Sequence, residues 1–136
     1  MVNDAPVNAE RVKLLVSALR SGSYKKGLGM LHYVPRNTWC CLGVACDIAR
    51  KSGVEISTAV IEGSERFGNT ASDLPAVIRD WYGFTTSNPD LKLADGGFTT
   101  AVRLNDSVSM YGGESEFTGI ADAFERTYLE ETPDGE

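Results

Sequence analysis

One stretch constrains the fold more than any other: Thr38-Trp39-Cys40-Cys41-Leu42-Gly43-Val44-Ala45-Cys46-Asp47-Ile48-Ala49-Arg50. It holds all three cysteines, one of the two tryptophans and the densest apolar run. A helix over about residues 42–52 would be apolar on nearly every side, with charges only at Asp47, Arg50 and Lys51. Such a helix belongs in the middle of a fold, with other elements built around it. Asp47 and Lys51 form an i, i+4 pair in the favourable orientation, and Gly53 fits the left-handed stop position. Thr38 to Cys41 reads as a strand running into this helix, which puts Cys40 and Cys41 near the junction.

The flanking patterns supply the covering layers. Asn8 caps a predicted helix whose apolar stripe is Val12, Leu15, Val16 and Leu19, with Arg20 in the last turn and Ser21-Gly22 as the stop. Residues 24–34 read as a strand buried on both sides. Leu28, Met30 and Val34 share one face with His32, and Leu31 and Tyr33 take the other. Pro35-Arg36-Asn37 turns the chain back into Thr38 to Cys41, closing a hairpin. Val54, Ile56 and Thr58 alternate as a short strand that extends toward Val60-Ile61.

Residues 62–72 are polar with two glycines, and are expected to be a mobile loop and the first protease site. Asp73 caps a short helix over 74–82, closed by Gly83. Residues 91–93 pair with Phe98 across Ala94-Asp95-Gly96-Gly97. Thr100 caps a helical stretch ending at Asn105-Asp106, and residues 107–115 form a Gly-containing connection. A last helix from about Glu116 carries the stripe Phe117, Ile120, Ala121, Phe124 and Tyr128. Gly119 stands inside it where a helix former is expected, at a cost of ~1 kcal/mol.

These elements make an α+β fold with one globular domain over 9–130, a loose arm over 1–8 and an acidic frayed tail over 131–136. The expected sheet is small and mainly antiparallel, built on the hairpin near 24–41. The buried central helix and the amphipathic N- and C-terminal helices pack on it around Leu15, Leu19, Leu42, Ala45, Cys46, Ala49, Ile120 and Phe124.

Net charge is −6, which argues against a nucleic-acid binder that tracks phosphates with Lys and Arg. It equally disfavours an anionic membrane surface. No apolar run approaches the ~18 residues of a membrane span, and residues 1–9 lack the pattern of a signal peptide. An odd number of cysteines, two of them adjacent, fits reduced thiols in a cytoplasm better than a secreted disulfide framework.

Three constellations bear on chemistry. A thiolate at Cys40 or Cys41 would gain from the positive end of the helix dipole, with His32 as base and Asn105 or Asp106 orienting it. Set against this, free cysteines are commonly small buried hydrophobes, and strand alternation would let only one of the pair act. Zinc is disfavoured, because Cys40, Cys41, Cys46 and His32 lack the spacing of a structural site. No cofactor is implied. Asn105-Asp106 reads either as a helix C-terminal cap or as a polar cluster facing the start of the cysteine helix. In the second case Trp39, Cys41, Asn105 and Asp106 are the binding residues. Lys25-Lys26, with Tyr24 and Arg36, reads as solvated surface.

The order of motifs resembles a group of small, largely uncharacterised proteins of bacteriophages, prophages and actinobacteria. The resemblance rests on Cys40-Cys41-Leu42-Gly43-Val44 followed by Cys46-Asp47, on Leu74-Pro75 and Asp80-Trp81-Tyr82-Gly83, and on Leu104-Asn105-Asp106 ahead of the last helix, over roughly residues 9 to 130. It implies a phage-linked accessory protein in the host cytoplasm, and it supplies no catalytic residues. The expected function is a non-enzymatic binding module for a host bacterial protein or small molecule. The rival is a thiol-dependent hydrolase or transferase using Cys40 or Cys41 with His32.

Overall fold

The computed structural model describes residues 7–130. The chain folds as α+β, with a five-stranded mixed sheet, a two-stranded antiparallel ribbon and helices around them. The tail over 131–136 and the first six residues of the arm lie outside the described residues. The last two arm residues are tied down: Val7 packs against the core and the Asn8 N–H donates to the Tyr82 carbonyl at 2.8 Å.

Helix α1 spans Ala9–Arg20, and the Asn8 side chain caps it by accepting from the Arg11 N–H. Its stripe Val12, Leu15, Val16 and Leu19 is buried. The central helix α2 spans Cys41–Lys51 and buries Cys41, Leu42, Gly43, Val44, Ala45, Cys46, Asp47 and Ala49. Helices α3 (Ala76–Tyr82), α4 (Ala101–Asp106) and α5 (Val108–Tyr111) follow. The last helix α6, Phe117–Tyr128, lies along α1 and buries Phe117, Ile120, Ala121, Ala123 and Phe124. Every residue of the expected core is buried, because periodicity alone identifies which face of a helix seeks cover.

The sheet runs β1 (Lys25–Lys26), β3 (Thr38–Trp39), β2 (His32–Tyr33), β5 (Ser64–Phe67), β4 (Thr58–Ile61). The β2–β3 hairpin is present, pairing His32 with Trp39 and Tyr33 with Thr38. Its turn is a short 3₁₀ segment, Val34–Arg36, closed by Asn37 in the left-handed region. β1 pairs parallel to β3 and the other strand pairs are antiparallel. The ribbon joins β6 (Asp90–Lys92) to β7 (Phe98–Thr100).

Asp73 does not cap the short helix expected over 74–82, which starts at Ala76 with Pro75 in the N-cap position. Three further expectations need correction. Residues 24–34 are not one strand buried on both sides. Two short strands flank a loop in which Leu31 is buried while Leu28 and Met30 face solvent. Gly27 lies so close to Thr38 that a Cβ would meet its side chain at 2.7 Å, and Gly29 takes a positive φ of 79°. Both features break a straight strand. Second, Val54 and Ile56 precede β4 instead of joining it.

Third, residues 62–72 are not simply a mobile loop. β5 lies inside the sheet between β2 and β4, and Phe67 is fully buried. Glu62 and Gly63, at φ 53° and 84°, form the two-residue reversal that joins paired strands. The pattern Glu-Gly followed by Ser-Glu-Arg-Phe looks polar although it is structured: Glu65 pairs with His32 and Arg50, and Phe67 seats β5 in the core.

Candidate functional site

Two polar constellations surround the strand–helix junction. The first is built by α4, Ala101–Asp106, whose Thr100 side chain caps it by accepting from the Arg103 N–H. Asn105 is fully buried and faces the start of α2. Its Oδ1 accepts from the Cys41 N–H at 3.0 Å, and its Nδ2 donates to the Gly27 carbonyl at 3.0 Å and to Asp106 Oδ1 at 2.8 Å. Asp106 Oδ1 also accepts from the Gly29 N–H at 3.1 Å.

A helix start leaves N–H groups without partners. Cys40 occupies the N-cap position of α2 but makes no side-chain cap bond. Asn105 supplies from another helix the acceptor that a local Ser or Asp would give. The Asn105-Asp106 pair therefore faces the cysteine helix and does not simply close its own helix. Lys26 joins the same cluster by donating to Ser115 Oγ at 3.1 Å, and burial lowers its pKa. Ser115 in turn donates to the Asn105 carbonyl at 3.1 Å.

The second constellation was not visible in the sequence. His32 stacks flat on Trp39, with ring centroids 3.6 Å apart. Its Nδ1 lies 2.6 Å from Glu65 Oε1 and its Nε2 lies 2.9 Å from Asn37 Oδ1. Arg50 bridges Glu65, at 3.0 Å, and Asp47. Asp47 completes the chain by accepting from the Tyr24 hydroxyl at 2.5 Å and pairing with Lys51 at 3.2 Å. The predicted Asp47–Lys51 pair is thus present, but as the outer end of a network that crosses from α2 to the sheet. Glu65 sits on the segment read as a loop, so no sequence signal linked it to His32 or Arg50.

Burial works against a charge on Asp47, yet the bonds from Tyr24, Arg50 and Lys51 outweigh it and hold the carboxyl below its usual range. A carboxyl with a depressed folded pKa contributes stability that is complete above the unfolded value, near ~3.9, and is lost as pH falls through the folded value. Asp47→Asn is expected to cost about 1–2 kcal/mol at neutral pH, since Arg50 and Lys51 are partly solvated. Urea titrations of both proteins should show the difference shrinking as pH falls below about 4. A difference that stays constant down to the lowest pH would contradict this role for Asp47.

The thiols stand apart from this network. Cys40, Cys41 and Cys46 are free and buried. Desolvation pushes the Cys40 thiol up to about 11, against the lowering effect of the Gly43 and Leu42 N–H groups at the helix start. Desolvation also raises Cys41 and Cys46 well above the ordinary thiol value. Helix-dipole activation of a cysteine needs water nearby to share the charge, and here burial is the larger effect. His32 turns both ring nitrogens toward Glu65 and Asn37. Trp39, Cys41 and Asn105 are buried and Asp106 is half-buried. Among the described residues, no group of three or more His, Cys, Asp or Glu side chains is placed to hold a metal ion.

Residues 7–128 match the family model of a domain of unknown function, DUF8296. The chain belongs to this family. The match covers both constellations and every helix and strand described. Nothing among the curated proteins or the solved structures matches the chain. Among the described residues, no helix is long and apolar enough to cross a membrane.

Proposed function

We propose that this DUF8296 protein is a non-enzymatic binding module, a phage-linked accessory protein that acts on a host bacterial partner in the cytoplasm. The observation that carries the reading is that its reactive groups are already engaged: the junction thiols are buried with raised pKa values, and His32 is held by Glu65 and Asn37. A thiol hydrolase needs a solvent-reachable sulfur beside its base. The phage link rests on the motif order of the Cys-Cys-Leu-Gly and Leu-Asn-Asp segments.

A protein partner suits the surface better than a small molecule. The open groove of about 440 Å³ between α1 and α6 is lined by Lys13, Arg20 and Glu125 among others. Arg20 is already paired with Asp122 at 2.7 Å and Glu125 at 2.9 Å, which leaves few convergent polar groups to fix a ligand.

Thiol kinetics test the reading. Denatured protein should titrate three thiols, and the folded protein should label with iodoacetamide no faster than it opens. His32→Ala should leave the labelling rates of the cysteines unchanged. One fast-labelling cysteine whose rate drops in His32→Ala would sink the binding-module reading and install the thiol enzyme in its place.

A further inference from the structure

The two faces of the five-stranded sheet differ in what covers them. Directly paired residues share a face and successive residues alternate. The register therefore puts Trp39, His32, Glu65, Phe67 and Val60 on one face. α2 covers that face as far as β5: Arg50 reaches Glu65 and lies over the Phe67 ring at 4.9 Å, while Val60 on β4 stays exposed. The other face carries Lys25, Thr38, Tyr33, Ser64, Arg66, Ile61 and Ala59. It holds two cations and no acid.

Two polar atoms on that face have no partner. Ser64 is 7% exposed, and its Oγ and the Nε of Arg66 are buried without a hydrogen bond. Among the described residues these are the only buried side-chain nitrogen or oxygen atoms left so. They stand two residues apart on β5, and unpaired buried groups of this kind are rare enough to need a reason. Ala59, a small side chain on β4, is the residue paired with Arg66 on the edge side.

That edge is itself unguarded. β4 is the last strand, all four of its residues are exposed, and Val60 and Ile61 are 57% and 47% exposed. Among the described residues, its backbone bonds to nothing beyond β5. The opposite edge, β1, consists of two lysines, a common device against unwanted strand pairing. β4 carries no charge, no proline and no bulge.

We infer that the β4 edge takes up an extended segment of a protein partner as a sixth strand, with an acidic side chain opposite Ala59 that pairs with Arg66. The inference rests on the binding-module reading and names its surface and the chemistry of its partner. The added strand lies two strand spacings from β5, about 10 Å, a span that an Arg and a Glu side chain cover between them. Opposite Val60 and Ile61 the segment presents apolar residues. Glu62, exposed beyond Ile61, keeps the acid toward the Ala59 end. A second copy is a poor occupant, since pairing β4 with β4 would bring Arg66 toward Arg66 on a face with no acid.

The test uses an array of ten-residue peptides randomised at six central positions, probed with the whole protein. The retained peptides should share consecutive apolar, apolar and acidic residues. The best of them, added in solution to ¹⁵N-labelled protein, should shift and protect the amides of residues 58–61. Arg66→Gln should weaken it about tenfold, the loss expected for one charge-assisted hydrogen bond. Arg36→Gln should leave affinity unchanged. Methylating alternate backbone amides of the peptide should abolish binding without any change to the protein. Retained peptides with no acidic preference, amide shifts confined to another surface, or no retained peptide at all would each overturn the inference. So would a dimer, seen by sedimentation, that protects the same amides. A peptide that shifts another surface leaves the binding-module reading standing, whereas the thiol labelling described above decides that reading on its own.

Discussion

Gly43→Ala is expected to prevent this protein from folding. Gly43 lies in the first turn of α2, against the Leu31 backbone. A Cβ at this position would fall inside the Leu31 carbonyl oxygen, 2.5 Å from the carbonyl carbon and 2.9 Å from the Leu31 Cα. The obstacle is backbone, not the end of a flexible side chain, so it cannot rotate away. On both sides the backbone is held: the Leu31 N–H donates to the Ala71 carbonyl at 2.8 Å, and its carbonyl accepts from the Cys40 N–H at 3.2 Å. Overpacking a core usually costs 1–3 kcal/mol, and a clash this deep exceeds that range, taking much of the ~5–15 kcal/mol that a domain has. Alanine is also the better helix former, so propensity alone predicts a small gain. Circular dichroism decides between the two: a folded Gly43→Ala protein that melts within a few degrees of the parent would refute the close approach.

Asn105→Ala should be the next most damaging single change, at about 3 kcal/mol. It strands the Cys41 N–H and the Gly27 carbonyl, and each unpaired buried group costs about 1–3 kcal/mol. Asn105→Asp separates the two halves of the role. It keeps an acceptor for Cys41 but loses the donor to Gly27, and it faces the Asp106 carboxylate that Asn105 now bonds at 2.8 Å. Chemical denaturation at neutral pH should therefore find the aspartate variant no more stable than the alanine one. An aspartate variant as stable as the parent would mean that only the bond to Cys41 matters.

The same two residues show how far a linear reading reaches. Helices α1, α2, α4 and α6 were legible because burial repeats every three to four residues and caps stand beside the ends they close, whereas the short helix Val108–Tyr111 lies in the stretch read as a connection. Asn8, Thr100, Gly53 and Gly83 all take the places their chemistry suggests. The short hairpin was legible from Pro35-Arg36-Asn37. What stayed hidden are contacts between backbones distant in sequence. Gly43 reads as a poor helix residue until Leu31 lies against it. Gly119 reads the same way, yet a Cβ there would meet Glu114 Cα at 2.6 Å. β5 was missed because Glu65 and Arg66 look like loop residues unless the Glu62-Gly63 reversal is recognised. With β5 went the ion-pair network, since Glu65 is its middle member. The thiol proposal depended on which of two effects is larger, the helix dipole or desolvation, and the pattern of residues does not reveal how much water reaches Cys40.

The cap on α2 has a consequence for the order in which the chain can become itself. The acceptor for the Cys41 N–H lies 64 positions later, and the Arg20 ion pairs with α6 span 102 and 105 positions. A ribosome that has released only the first half of the chain has delivered the central helix without its cap and without the last helix that packs along α1. Closing contacts this far apart costs loop entropy before they return anything. The three thiols, buried once the fold is complete, therefore lack their cover until the last helix has been made.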